Sequence, residues 1–380
     1  MLVVMVMESR YPFGKDWAVA ARAGGADVVE VEVVPHAVGP RIAAGVAGSD
    51  DHFQIERVQI RPDRVFRPLS DWILGRRIAR VIEEVRKRRR VDIIHTHFYR
   101  EMGPILHMRG RPAHVHTEHS AAFAALDLGS AAHYRLSKAG LKVAIKGAAG
   151  AQGVIAVCRY LADQMMRHGV PGPIQVIPCP IDPEMTGHLV RPPSSPPRLV
   201  TVGRLSPEKR VDLVLGALAL ARGIEPKLEL DIVGGGPLEH ELRAHADRLG
   251  LGSAVRFHGP LSRERVAEVA APAAAFVTGT LSEMFGTAVA EALCLGVPAV
   301  APAVGGLAEL IDSSNGRLVP EADAPSLAEA VLEVVATTYD RDAIAQAARG
   351  HWSFDRVGSE LAALYSSVID VTGQEFRGGA

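Results

Sequence analysis

The sequence predicts an α/β protein with two doubly wound parallel-sheet domains. Short apolar runs rich in β-branched residues alternate with helical patterns along the whole chain, which is typical of parallel sheets covered by helices. The chain has 380 residues, and single cores rarely grow beyond about 250–300 residues. The segment RPPSSPPR at 191–198 interrupts the alternation with prolines that favour an extended connection. We therefore predict domains at 1–190 and 199–355, joined by this linker, and a final helix and tail at 356–380.

In the first half, the apolar runs between helical patterns predict six strands. They lie at 1–8, 26–34, 92–97, 113–118, 153–157 and 174–178. The Gly-rich stretch 36–53 has no clear period and is predicted to be a loop. Residues 120–135 are predicted to form a loop with a short helix.

Residues 71–90 carry an apolar stripe at helical spacing, opposite a strongly basic face. The stripe consists of Leu74, Ile78, Val81 and Val85. It could pack on the strand that follows, or the basic face could make weak peripheral contact with anionic lipid. Both interpretations stay open at this point.

After the linker the alternation restarts, and five strands are predicted from the runs LVTVGRL, LELDIVGGG, VRFHGP, AAFVTGT and PAVAPAV. Helices are predicted to begin at Pro207 and Pro237. In open parallel sheets, ligands bind beyond the carboxyl ends of the strands. We expect a cleft between the two domains, lined by the residues that follow each strand. The stretch from Trp352 has helical spacing and could pack back across the domain junction, with Trp352 as a core anchor.

Composition excludes several classes of protein. The formal net charge is -1, so no overall field attracts nucleic acid. The three cysteines, Cys158, Cys179 and Cys294, lack metal-ligand spacing, which favours a reducing compartment over a disulfide framework. The N-terminal run reads as a buried strand rather than a signal peptide, and no apolar run is long enough to span a bilayer. A cytoplasmic enzyme is expected.

The strongest functional signal is the segment LSEMFGTAVAEALCLGVPAVAPAVGGLAELI at 281–311. Glu283 lies in a loop after a strand, and Gly286-Thr287 is predicted to begin a helix that contains Glu291. The free amides and positive dipole end of such a helix can hold a diphosphate. Glu291 could accept hydrogen bonds from ribose hydroxyls, and Glu283 from a sugar. Two glutamates eight residues apart are also common on solvated helices, so this segment alone does not decide the function.

Two further segments support the same ligand. In VGRLSPEKRVD at 202–212, Arg204 and Lys209 flank a strand-to-helix turn, where two cations could neutralise a diphosphate without a metal. In IVGGGPLEHEL at 232–242, the glycines permit positive φ and close backbone approach. Glu239 occupies the place where a dinucleotide fingerprint needs glycine. A nicotinamide-binding function therefore loses its main support, and the sequence contains no P-loop motif.

With these three elements in this order, the chain resembles the retaining glycosyltransferases of family 4 over nearly its whole length. Glu283 and Glu291 form that family's E-x7-E motif. The resemblance implies a GT-B fold, two Rossmann-like domains facing a central cleft, with the acceptor-side domain first and the nucleotide-sugar domain second. It implies that Arg204 and Lys209 contact the donor phosphates, Glu291 the ribose and Glu283 the donor sugar.

The resemblance implies further donor-binding residues. The loop RFHGPL at 256–261 looks like the loop that carries the nucleobase, and Gly305-Gly306 resemble a turn near the donor or the final helices. The donor-binding set is Gly14, Gly203, Arg204, Lys209, Gly235, His258, Glu283, Met284, Phe285, Gly286, Thr287 and Glu291. The catalytic set is His119, Arg204, Lys209 and Glu283.

His119 lies where the family has a histidine near the anomeric centre. It belongs to a group with His95, His97, His114 and His116. A metal site in this group is disfavoured, because no carboxylate accompanies it at useful spacing and the fold supplies cations instead. We expect neither a metal nor a cofactor, since the nucleotide sugar is a substrate.

Three positions depart from the family pattern. The N-terminal loop YPFGKDW has only Gly14 where relatives often have paired glycines. Cys179 and Pro180 replace a usual Asn-Gly before Asp182, and Cys158 replaces a usual serine. These differences leave the acceptor open.

The resulting prediction is a retaining, metal-independent transferase. It would move a hexose or N-acetylhexosamine from a nucleotide diphosphate sugar, with UDP as the first candidate, to a hydroxyl acceptor. The alternatives are a sugar-nucleotide epimerase on the same fold and a non-catalytic sugar-nucleotide-binding protein.

Overall fold

A computed structural model describes residues 1–8, 13–34, 47–49, 51–56, 63–97, 102–119, 138–182 and 190–378. These residues form two compact units. The first contains the described residues up to 119, residues 138–180 and the chain from Ser353 onward, and the second contains Ile181–Trp352.

The first unit is built on an eight-stranded sheet with the strand order β3-β4-β2-β1-β5-β6-β7-β8. All neighbouring strands are parallel except β3 and β4, which are antiparallel. The strands are β1 Leu2–Glu8, β2 Asp27–Val34, β3 Ala47–Ser49, β4 His52–Glu56, β5 Ile93–His97, β6 Ala113–Glu118, β7 Gly153–Ala156 and β8 Ile174–Val176. All six strands predicted for this half are present.

The prediction of a loop at 36–53 is wrong for its described part, since β3 and the start of β4 fall within it. The β4 strand pairs with β2, with His52 opposite Glu30 and Phe53 opposite Val31. Pairing with β2 therefore stabilises β4. The predicted loop at 120–135 lies outside the described residues.

Helices cover this sheet and supply its core. Those preceding the second unit are α1 Phe13–Ala23, α2 Asp63–Arg88, α3 Met102–Leu106, α4 Lys138–Ala149 and α5 Arg159–Arg167. Leu74, Ile78, Val81 and Val85 of α2 are buried in one cluster with side chains of β1, β2 and β5. The apolar stripe therefore packs on the sheet, and lipid contact by the basic face of α2 stays a prediction.

The second unit contains a six-stranded, fully parallel sheet with the order β11-β10-β9-β12-β13-β14. Its strands are β9 Arg198–Val202, β10 Glu229–Val233, β11 Val255–Gly259, β12 Ala275–Val277, β13 Ala299–Pro302 and β14 Gly316–Val319. Its helices are α6 Val211–Ala221, α7 Glu239–Arg248, α8 Arg263–Ala270, α9 Thr287–Cys294, α10 Leu307–Leu310, α11 Ala324–Ala336 and α12 Arg341–Trp352. The five predicted strands are present, and β14 is an edge strand that the sequence did not predict.

The chain after β9 differs from the helix predicted from Pro207. Pro207–Lys209 form a single 3-10 turn, and α6 begins only at Val211. Between them Arg210 has a left-handed backbone, with φ 47° and ψ 46°, which costs a non-glycine residue about 1 kcal/mol. Its guanidinium forms a two-point ion pair with Asp212, which holds this break in place.

The last helix, α13 Phe354–Gly378, belongs to the first unit and packs on α1, β6 and β7. Two glycines allow the close crossing with α1. A Cβ at Gly358 would lie 2.2 Å from the carbonyl oxygen of Ala20, and one at Gly24 would lie 2.1 Å from that of Gly358. Within the described chain, no helix is both long and apolar enough to cross a membrane.

Candidate functional site

The carboxyl ends of β9 and β12, which are neighbours at the centre of the second sheet, carry the main candidate residues. One cavity at this edge is lined by side chains and backbone of both loops. Its lining includes Gly203, Arg204, Lys209, Glu283, Gly286 and Leu307. The structure thus brings together five of the predicted donor-binding residues, at the edge where ligands bind in open parallel sheets.

The two cations of this cavity differ in their pairing with carboxylates. Lys209 Nζ forms an ion pair with Glu283 at 2.5 Å, and both side chains are partly buried, at 31% and 25% exposure. Arg204 is exposed and has no carboxylate partner among the residues that the structure describes. A diphosphate entering the cavity would meet Arg204 directly and would compete with Glu283 for Lys209.

Polar groups that sequence reasoning missed tie the two loops together. The carbonyl oxygen of Glu208 accepts hydrogen bonds from the Leu281 amide at 2.9 Å and from Thr280 Oγ1 at 3.3 Å. Thr280 is 1% exposed, and its single hydroxyl hydrogen lies between the carbonyl oxygens of Glu208 and Ser282, at 3.3 Å and 3.1 Å from Oγ1. This buried hydroxyl fixes Lys209 relative to Glu283. The signal available in the sequence was a threonine-rich turn, Thr278-Gly-Thr280, directly after a strand.

The start of α9 supports the predicted diphosphate site. Gly286 precedes the helix with φ 85°, and a Cβ there would lie 2.6 Å from Leu307. The amides of the first turn of α9, which include those of Gly286 and Thr287, have no acceptor within the helix, and among the described residues no side chain caps them. Such free amides at a helix start bind anions. Glu291 lies one turn into α9, four residues after Thr287, so the side chains of these two residues lie on the same face of the helix.

Gly305 and Gly306 hold the Glu283 backbone. The Gly306 amide donates to the Glu283 carbonyl oxygen at 2.9 Å. Gly305 has φ 55°, and a Cβ there would lie 2.0 Å from the same oxygen. The glycine pair predicted to lie near the donor or the final helices thus contacts the loop of a candidate site residue.

The glycine run after β10 has a similar supporting role. A Cβ at Gly234 would lie 1.9 Å from the Gly203 carbonyl oxygen, and one at Gly236 would lie 2.3 Å from that of Leu205. The Leu205 amide donates to the Gly235 carbonyl oxygen at 3.1 Å. The close approach expected of these glycines is therefore to the loop that carries Arg204. Contact of Gly235 with a donor stays a prediction.

His258 on β11 does not line the cavity. Its Nε2 lies 2.7 Å from Oδ1 of Asp231, which is buried. Arg198 contacts the other oxygen of Asp231 at 3.2 Å, so the imidazole belongs to an ionic network on the sheet. A role for His258 beside a nucleobase remains a prediction.

The remaining candidates belong to the first unit. Gly14 lies in the first turn of α1, and no contact tests its predicted role. His119 follows β6 directly, at the carboxyl edge of that sheet. Its Nε2 lies 2.8 Å from His97 Nδ1, and its Nδ1 lies 3.9 Å from Cys179 Sγ.

The histidines form a packed array at the ends of β5 and β6. His97 stacks between His95 and His119, with ring centroids 4.4 Å and 5.1 Å away. Burial lowers the pKa of His97 to about 3, because the charged imidazolium would lose its hydration. Burial also lowers the pKa values of His95, His114 and His119 well below the ordinary range. These rings are therefore neutral at pH 7.

Two family models together match most of this chain. Residues 20–185 match the family model Glycosyltransferase Family 4, and residues 190–351 match the model Glycosyl transferases group 1. D-inositol 3-phosphate glycosyltransferase from Actinosynnema mirum is 30% identical over 312 residues, which are 75% of this chain and 74% of that protein.

Other relatives match over a smaller region. D-inositol 3-phosphate glycosyltransferase from Nocardioides sp. is 37% identical over 166 residues, 40% of this chain. That match and two others to proteins of the same name span only 36%, 38% and 45% of those relatives' own length.

A solved structure shows the same fold. The Anabaena protein HepE, in complex with UDP and glucose, superposes with a TM-score of 0.72 at 18% identity, covering 97% of this chain and 100% of that one. The predicted GT-B fold and the predicted family are confirmed. With two family models and a relative that matches most of its length, this chain belongs to glycosyltransferase family 4.

Proposed function

We propose that the protein transfers a hexose or N-acetylhexosamine from a UDP-sugar to a hydroxyl acceptor, with retention of configuration and without a metal. One observation carries the proposal. Arg204, Lys209, Glu283 and Gly286 line a single cavity at the carboxyl edge of the second sheet, beside the start of α9. A sugar joined to a diphosphate has the groups that such a cavity can bind: hydroxyls for a carboxylate and phosphates for two cations.

In this proposal the charge that develops on the leaving diphosphate is stabilised by Arg204, by Lys209 and by the amides at the start of α9. The amides are held by the helix backbone before the substrate binds, so they need little reorganisation as charge develops. Retention would follow from attack on the face that the diphosphate leaves, with the leaving phosphate accepting the proton of the acceptor hydroxyl. Intact-mass detection of a glycosyl-enzyme adduct would contradict this route.

The substrates are proposed from the relatives. The HepE structure contains UDP and glucose, which makes UDP-glucose the first donor to test. The relatives named D-inositol 3-phosphate glycosyltransferases make a phosphorylated cyclitol the first acceptor to test. None of the three cysteines, all of them described by the structure, forms a disulfide, which supports a reducing, cytoplasmic location as part of the same proposal.

A binding screen tests the donor and the metal together. Calorimetry and thermal shift with UDP, GDP, ADP and their hexose conjugates, each with and without a chelator, should show stabilisation by one nucleotide family that the chelator does not change. A response that disappears with the chelator would contradict metal independence. No response to any nucleotide would favour a different ligand.

The phosphate site is tested by Lys209→Ala. This substitution should weaken UDP binding and nearly abolish transfer, because one of two cations facing the diphosphate is lost. Lys227→Ala, at an exposed lysine before β10, is the matched control and should leave both quantities unchanged. Turnover of the Lys209 variant within about threefold of the wild type, a barrier change well below ~1 kcal/mol, would refute this site.

Incubation with the donor alone separates the alternatives. An epimerase would change the sugar and leave it attached to the nucleotide, and a non-catalytic binder would change nothing with or without an acceptor. A transferase should release UDP at an appreciable rate only when an acceptor is present.

A further inference from the structure

The first unit contains a hydrogen-bonded chain of three side chains, His97–His119–Cys179. His97 Nδ1 and His119 Nε2 are 2.8 Å apart, and His119 Nδ1 is 3.9 Å from the Cys179 sulfur. A neutral imidazole carries one proton, on one of its two nitrogens. The proton positions along the chain are therefore linked, and only two arrangements make the His97–His119 hydrogen bond.

In the first arrangement His97 Nδ1–H donates to His119 Nε2, and His119 Nδ1–H points at the Cys179 sulfur. In the second, His119 Nε2–H donates to His97 Nδ1, and the proton of His97 then lies on its Nε2. His97 is 4% exposed, and its Nε2 is buried with no hydrogen-bond partner among the described residues. In the second arrangement the N–H group at His97 Nε2 would be buried without an acceptor. In the first, His97 Nε2 carries only a lone pair.

The surroundings of His97 favour the first arrangement. Trp17 contacts the His97 ring at a centroid distance of 5.3 Å, and the Trp17 Nε1–H is itself buried without a partner in the described structure. The second arrangement would leave a buried donor without a partner on each of these two neighbouring rings. Buried donors without partners are rarer in proteins than under-satisfied acceptors, because a buried donor that makes no hydrogen bond loses its hydration without replacement.

We propose that His97 holds His119 in the tautomer that carries its proton on Nδ1, so that His119 meets a substrate hydroxyl as a hydrogen-bond donor and not as a base. The Cys179 sulfur is the weak acceptor that the hydroxyl oxygen replaces. His97 is then a positioning residue. The part of this inference that involves substrate rests on the proposed function, whereas the tautomer does not.

The Nδ1–H tautomer of His119 limits which group can take the proton of the acceptor hydroxyl. A His119 nitrogen that faces substrate with a proton on it cannot accept the proton of the acceptor hydroxyl. It can hold a sugar or acceptor oxygen in place, and the proton must leave by another route, such as the departing phosphate. A thiol suits the position because sulfur is a weak acceptor that a hydroxyl oxygen displaces at little cost.

The tautomer is measured directly by long-range proton–nitrogen NMR of protein labelled with ¹⁵N-histidine, because the two ring nitrogens differ in shift according to which one is protonated. Comparison with His119→Asn assigns the signal. In the wild type at pH 7.5 the proton should lie on His119 Nδ1. A proton on Nε2 in the wild type would overturn the inference without any variant being needed.

Two substitutions test the role of His97. In His97→Gln, the amide can still donate to His119 Nε2, so the Nδ1–H signal should remain. In His97→Leu no donor is present, and the proton should move partly or wholly to Nε2. An unchanged His119 signal in His97→Leu would show that His97 does not set the tautomer.

Transfer assays give the functional result. His97→Leu should lower kcat about tenfold and leave the Kd for UDP within about twofold, whereas His97→Gln should recover kcat to within about threefold of the wild type, since one positioned hydrogen bond is at stake. Cys179→Ala should change kcat less than about threefold, because the sulfur is displaced in the complex. Loss of activity in His97→Gln equal to that in His97→Leu would contradict the positioning role. If no UDP-sugar is turned over, the proposed function fails while the NMR result still decides the tautomer.

Discussion

At the scale of single residues, Glu283 should have opposite effects on the two parts of a nucleotide-sugar donor, the sugar and the diphosphate. In the proposed function its carboxylate accepts hydrogen bonds from sugar hydroxyls, yet it pairs with Lys209 and would repel a diphosphate. The pair is only partly buried, so solvent screens it and its contribution is modest, about 1 kcal/mol at most. Binding of the nucleotide and transfer of the sugar should therefore respond differently to its charge.

We expect Glu283→Gln to bind UDP about threefold more tightly and to transfer sugar much more slowly, because the competing charge and the sugar contact are removed together. Calorimetry with UDP and an initial-rate assay measure the two effects. Glu239→Gln, which removes a half-exposed partner of Arg243, is the control. Weaker UDP binding by the Glu283 variant would show that the carboxylate does not compete for Lys209.

Gly305 offers a second test at the residue scale, with Gly250 as a close match. Both have a left-handed backbone, with φ 55° and 69°, but a Cβ at Gly250 would have no neighbour within 4 Å. Alanine should cost about 1 kcal/mol of unfolding free energy at either position through its backbone alone. Only Gly305→Ala should also displace the Glu283 carbonyl oxygen. It should reduce the rate of transfer by tenfold or more, which corresponds to a rise of ~1.4 kcal/mol in the activation free energy. Equal activity of the two variants would show that Gly305 does not position Glu283.

At the scale of elements, a close backbone contact decides which unit helix α13 packs on. Its sequence position follows the second unit, yet Gly358 allows its backbone to approach Ala20 of α1. The buried Tyr365 adds a hydrogen-bond contact, with its hydroxyl 2.7 Å from His95 Nδ1. Helical periodicity alone indicates the apolar face of α13, and the glycine pair decides which surface can receive it.

Gly358→Ala should lower the free energy of unfolding by about 1–3 kcal/mol, because the added methyl group overpacks the crossing. Gly350→Ala in α12 is the matched control, since a Cβ there would have no neighbour within 4 Å. It should be neutral or stabilising by up to about 1 kcal/mol, from helix propensity. Chemical denaturation measures both, and equal effects would show that the α1–α13 crossing is not tightly packed.

At the scale of the whole molecule, the two units should differ in their response to acid. The four histidines with lowered pKa values, His95, His97, His114 and His119, all lie in the first unit. Their folded-state pKa lies below the unfolded value of about 6.5. As the pH falls below that value, the unfolded chain binds protons that the folded unit excludes.

Each such histidine removes up to ~1.4 kcal/mol of stability per pH unit below about 6.5, and for His97 this continues toward a pKa of about 3. Amide hydrogen exchange at pH 7.5 and 5.5, corrected for intrinsic rates, should show a selective loss of protection in the first unit. His97→Gln should reduce the dependence on pH. Equal loss in residues 181–352, or greater stability at pH 5.5, would contradict this prediction.

Local patterns were sufficient for much of the molecule. The alternation of apolar runs and helical periods predicted eleven of the strands that the structure shows, because a strand buried between helices needs a short β-branched run. The positions of Arg204, Lys209 and Glu283 after their strands followed from the same alternation. Parallel strands bring their carboxyl ends to one edge, so residues after them meet in one cavity.

Other features depend on contacts between distant parts of the chain. The short strands β3 and β4 are paired at an edge, and α13 lies on the first unit through Gly24 and Gly358. The Lys209–Glu283 pair, the Gly305 contact with Glu283 and the His97–His119 hydrogen bond join residues that no local period relates. The sequence by itself determined the fold class, the family and the loops of the candidate site, since each is encoded in a local pattern. Only the tertiary structure decided which partner each polar group has, because that choice depends on which distant backbone comes within hydrogen-bond distance.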